Sequence, residues 1–169
     1  MVISIEKICD RSAYAGDVKN RYGEEVEAVH RGHVGHDGIL GKKLEQLSNG
    51  VNRLREALLA EGLPEDMKRD AVIQRFEFCF ESAWKTLKAW LRDEGIETAS
   101  PKSALREAYK LGWLGQDPDP WYQMLTDRNL TSHVYNEEMA AAIYANIRSC
   151  YANLLAELVD RLGENFDDA

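Results

Sequence analysis

The chain has 169 residues, 44% of them hydrophobic and 30% charged, with a formal net charge of -8. That length fits one domain with a sizeable core. The acidic balance argues against broad, non-specific nucleic-acid binding, which needs a basic surface, although a small basic pocket stays compatible with it. No run of about 18 apolar residues occurs, so no membrane span is expected. The first residues lack the apolar segment of a signal peptide, so the expected location is cytoplasmic. The three cysteines (Cys9, Cys79 and Cys150) include no CxxC pair, so no zinc site is expected from them. Proline is scarce and strand-like alternation is hard to find, which places an all-α fold first.

Residues 1–41 read as an N-terminal extension of unassigned role. MVISI allows a very short strand and Ser12 to Arg31 a weak helix. The stretch RGHVGHDGILG then places His30, His33 and His36 at every third position. Either a metal site or a Gly-rich linker that carries histidines would account for it. The linker is the simpler reading, because metal sites need a held geometry that glycines do not supply.

The domain proper is expected over 42–163, with a short acidic tail at 164–169. Leu44, Leu47, Val51, Leu54 and Leu58 step by three and four, one stripe of an amphipathic helix, which Gly62 and Pro64 end. A second helix starts after Pro64 and stops at Gly95. Its core stripe is Val72, Phe76, Cys79, Phe80, Ala83, Leu87, Trp90 and Leu91. Phe78 and Trp84 lie off that stripe, so this helix should meet more than one neighbour, and the extra apolar surface predicts a homodimer. Ser100-Pro101 opens a short third helix that stops at Gly112. Pro120 opens a fourth, short helix toward Arg128. Asn136 opens the last long helix, with a stripe of Met139, Ile143, Ile147, Cys150, Tyr151, Leu154, Leu158 and Leu162 that Gly163 closes. Long helices joined by short connections predict an antiparallel up-and-down four-helix bundle with extra short helices.

The stretch WYQMLTDRNLTSHVY, between two long apolar-periodic segments, carries the chemistry. His133 is the only histidine beyond the first forty residues and can titrate near neutral pH. Arg128 stands five positions before it. On an unbroken α-helix these two would point roughly 140° apart. If the helix ends near Asn129 or Leu130, a turn through Thr131 and Ser132 can bring both into one pocket. Arg supplies a fixed fork of donors for phosphate, and His can take or give a proton. Alternatively, the pair satisfies helix ends and a buried carboxylate. Glu77 and Glu81, one turn apart on the second helix, could orient either residue or simply pair with Lys85.

Three blocks in order, RFEFCFESAWKTLKAWL, SPKSALREAYKLGWL and DRNLTSHVYNEE, resemble the nucleotidyltransferase substrate-binding, or HepT-like, branch of the HEPN superfamily. The resemblance covers roughly 42–158 and leaves residues 1–41 without a counterpart. It implies a HEPN-like bundle that dimerises and has Arg128, His133 and Tyr135 in a cleft at the dimer interface. It also implies a partner encoded alongside, a minimal nucleotidyltransferase, often in a toxin-antitoxin pair. On that basis the expected activity is metal-independent RNA cleavage with no cofactor. Arg128 and His133 would be catalytic, Asn129 and Ser132 supporting, and Tyr135 a site at which the partner attaches AMP. The other class of function open to the chain is a non-catalytic subunit that presents a substrate to the nucleotidyltransferase.

Overall fold

The computed structural model describes residues 37–132 and 136–167. The chain runs through α1 (Asp37–Leu59), α2 (Glu65–Asp93), α3 (Pro101–Lys110), α4 (Asp119–Thr131) and α5 (Glu137–Asn146). α5 continues through a π-turn at Ile147–Tyr151 into α6 (Ala152–Asp167). No strand occurs among the described residues, and none of the helices there is long and apolar enough to cross a membrane.

The protein is an all-α bundle, as the periodicity predicts. Thr86 of α2 donates its hydroxyl to the Lys43 carbonyl near the start of α1, so these helices run antiparallel. Arg69 near the start of α2 reaches Glu137 at the start of α5, at 3.5 Å, so the last helix runs parallel to α2. α4 runs back along α2, with Arg128 beside Glu81 and Thr131 beside Glu77. The result is an up-and-down order of α1, α2, α4 and the α5–α6 helix, with α3 as the added short helix. α2 is central and touches α1, α3, α4, α5 and α6. Its fully buried Phe76 and Phe80 sit in the core with Leu47, Leu54, Leu87, Trp121 and Tyr151.

Local chemistry sets the helix ends. Beyond α2, Gly95 has φ +79. The Ile96 N–H returns to the Leu91 carbonyl at 2.7 Å and the Gly95 N–H to that of Arg92 at 3.0 Å, a Schellman closure. Gly112 closes α3 in the same way. Ser100 caps α3 reciprocally with Ser103, and Asn136 caps α5 by accepting from the Glu138 and Met139 N–H groups.

Three details depart from the sequence reading. α1 begins at Asp37, inside the Gly-rich stretch, and Leu40 is buried one step before Leu44, extending the same stripe. α6 passes through Gly163 to Asp167. Gly163 is not among the glycines with positive φ, so it does not act as a stop there. Finally, the π-turn shifts the phase of the last helix, so that Leu155, rather than Leu154, is the fully buried residue. The His30, His33 and His36 series lies outside the described residues.

Candidate functional site

The last turn of α4 carries Arg128, Asn129, Leu130 and Thr131, and Ser132 follows it. Asn129, Leu130 and Ser132 are exposed, whereas Arg128 is half-buried. Ser132 donates its N–H to the Asn129 carbonyl at 3.4 Å, tightening the end of the helix. α4 therefore runs through Thr131, one residue past Leu130, and ends at Ser132 rather than near Asn129 or Leu130. His133 and Tyr135 lie outside the described residues.

α2 grips this turn from one side. Arg128 Nη2 lies 2.9 Å from Glu81 Oε1. The other oxygen of Glu81 accepts from Trp84 Nε1 at 3.0 Å and pairs with Lys85 Nζ at 3.3 Å. Glu81 thus makes the Lys85 pair that its spacing suggests and orients Arg128 as well. One turn earlier, Glu77 Oε1 accepts from the Thr131 hydroxyl, which also lies 2.7 Å from the Arg128 carbonyl. Arg128 Nε is buried and has no hydrogen-bond partner among the described residues.

The last helix holds the same turn from the other side, through Asp127. This carboxylate is 2% exposed, yet among the described residues its hydrogen-bond partners include no cation. Neutral donors satisfy it instead. Gln123 Nε2 reaches Oδ1 at 2.9 Å, while Asn146 Nδ2 and the Tyr151 hydroxyl reach Oδ2 at 2.9 and 2.6 Å. Burial, reinforced by the hydrogen bond to Asp127, pushes the Tyr151 phenol far above its ordinary value, so it remains a donor. Its ring stacks on Phe76 with centroids 5.5 Å apart.

Sequence reasoning named Arg128 and weighed Glu77 and Glu81, but it did not name Asp127, which the structure packs beside them. The one available signal was its place four residues after Gln123 and directly before Arg128. Asn146 and Tyr151 gave no signal, because residues five apart diverge on a regular α-helix.

The chain matches a family model described as "Nucleotidyltransferase substrate binding protein like" over residues 42–164. It is 40% identical over 80 residues to "Probable ribonuclease HepT" of Haemophilus influenzae, a match that spans 44% of this chain and 54%, about half, of that protein. It also resembles a crystal structure of a Thermus thermophilus protein, with TM-score 0.63 and 41% identity over 69% of this chain and 98% of the other.

Proposed function

Because the chain belongs to the nucleotidyltransferase substrate-binding-protein-like family, the HepT-like branch of the HEPN superfamily, we propose that it is a dimeric ribonuclease toxin restrained by a partner nucleotidyltransferase. The observation that carries this reading is Arg128. Glu81 holds its guanidinium at the end of α4, five residues before the one histidine of the bundle.

In the proposed reaction, His133 takes the proton of the ribose 2′-hydroxyl. The 2′-oxygen attacks phosphorus, the bond to the 5′-oxygen breaks, and that oxygen leaves with a proton returned by an imidazolium. The Arg128 fork holds the scissile phosphate and stabilises the charge gathering on the phosphorane. Glu81 takes one terminal nitrogen of the guanidinium, Nη2, and leaves the others for the phosphate. Asn129 and Ser132, both exposed at the end of α4, would bind a non-bridging oxygen or orient the imidazole. The products are a 2′,3′-cyclic phosphate and a 5′-hydroxyl, and the reaction needs no metal. Phe78, 73% exposed and three residues before Glu81 on α2, and Leu130, 37% exposed and two residues after Arg128 on α4, would supply an apolar surface for a second copy. Two protomers would focus positive charge in one cleft despite the acidic total.

Tyr135, two residues after His133, is the proposed attachment point for AMP. A nucleotide there would bring phosphate charge and a bulky base to the place the substrate phosphate must occupy. The family description favours one other reading, in which the same cleft presents a small substrate to the nucleotidyltransferase. Induced expression of this chain alone, and together with the nucleotidyltransferase encoded beside it, separates the two. The toxin reading expects arrested growth and fragmented RNA from the chain alone, relief by the partner, and an added AMP mass on the Tyr135 peptide. Normal growth with intact RNA from the chain alone would support substrate presentation instead.

A further inference from the structure

We propose that Asp127 is a positioning residue. With Tyr151 and Asn146 it forms a clamp across the π-turn that fixes the turn of α4 bearing Arg128. Its functional arm rests on the ribonuclease reading above; its structural arm does not.

A carboxylate buried without a cation is expensive, and a well-packed apolar side chain at position 127 would serve the core at least as well. The last helix is also remodelled to meet it. On an α-helix, Asn146 and Tyr151 would point roughly 140° apart. The π-turn changes this: the Ala152 N–H donates to the Ile147 carbonyl five residues back. Widening the turn in this way brings residues five apart onto one face. Both donors consequently reach a single atom, Asp127 Oδ2, at 2.9 and 2.6 Å. π-turns concentrate at functional sites, and the group held by this one is the immediate neighbour of Arg128.

Geometry says what the clamp does. α4 has only its last turn between Asp127 and the chain leading to His133. Glu81 and Glu77 pull that turn toward α2, whereas Asn146 and Tyr151 anchor it to the last helix. Gln123, one turn earlier on α4, braces Oδ1. Fixed from two sides, the turn can neither roll about the α4 axis nor slide along it, so the guanidinium is held before substrate arrives. Such preorganisation matters most where charge develops in the transition state.

Tyr151→Phe is the selective probe. It keeps the ring against Phe76 and removes only the donor. Arginine Nε–Hε resonances of 15N-arginine-labelled protein should show a sheltered Arg128 signal in the wild type. Tyr151→Phe should shift or broaden that signal and speed its exchange, leaving unchanged the signal of Arg106, which pairs with Glu107 on α3. In RNA cleavage, Tyr151→Phe should lower kcat by about tenfold, the effect of losing one hydrogen bond's worth of preorganisation, with KM little altered. In an Arg128→Ala background the same change should have no further effect, because the clamp acts through Arg128. Asp127→Asn, matched in shape, should repeat the pattern and replaces Tyr151→Phe if that variant does not fold. An unmoved Arg128 signal in a folded variant would overturn the clamp. So would an equal loss of kcat with and without Arg128. If the wild type cleaves no RNA, the ribonuclease reading fails, and the arginine signal alone decides the clamp.

Discussion

Asp127, Tyr151 and Cys79 show how burial sets the chemistry of single residues. Burial pushes the Cys79 thiol up from 9.0 to about 12. Burial first, and then Asp127, raises the Tyr151 phenol in the same direction. Both groups stay protonated in the folded chain at pH values where the unfolded chain has released their protons. Above about pH 9 the unfolded state therefore binds fewer protons than the native state, and stability falls as pH rises. The urea midpoint should decline from about pH 9 upward, and Cys79→Ala or Tyr151→Phe should each flatten part of that decline relative to the wild-type profile. A midpoint independent of pH through that window would contradict the burial of both groups. At neutral pH the Cys79 thiol should resist alkylation until the protein unfolds.

Among the elements, and with the exception of Gly163, which α6 passes through, most helix ends and apolar stripes were legible in the sequence because each rests on local physics. Gly95 illustrates this: its φ of +79 is a conformation that side chains resist, and an added Cβ there would meet nothing within 4 Å. Gly95→Ala should therefore destabilise the protein by about 1–2 kcal/mol through backbone strain alone. The check is a lower urea midpoint with an unchanged m-value. Ser100→Ala, which removes the reciprocal cap of α3, should cost about 1 kcal/mol. What the sequence hid is nonlocal. Leu40 was obscured by Gly38 and Gly41, although its burial against the bundle carries α1 back to Asp37. The π-turn leaves no mark on apolar periodicity except a phase slip, and without it Asn146 and Tyr151 could not be joined to Asp127. Arg128 was visible because its chemistry and spacing are local; its partner Glu81 was visible only as one of several uses for a carboxylate on α2.

For the molecule as a whole, a tightly packed bundle leaves a few apolar side chains in water, and Phe78, 73% exposed and three residues before Glu81, is the most exposed of those on α2. Trp84, also off the α2 stripe, is half-buried and already occupied by Glu81, so Phe78 should carry most of the self-association. Burying one such ring contributes about 1.5–3 kcal/mol, and a twofold interface uses it twice. Sedimentation at micromolar concentration should give a dimer for the wild type and a monomer for Phe78→Asp; a monomeric wild type would remove the shared cleft. The central claim, that Arg128 and His133 cleave RNA, is met most directly by incubating purified protein with RNA in excess EDTA and identifying the new ends. The account predicts 2′,3′-cyclic phosphate and 5′-hydroxyl ends from the wild type, none from His133→Ala, and little rescue by Arg128→Lys, whose point charge cannot replace a planar fork. Undiminished cleavage by a folded His133→Ala protein would contradict it.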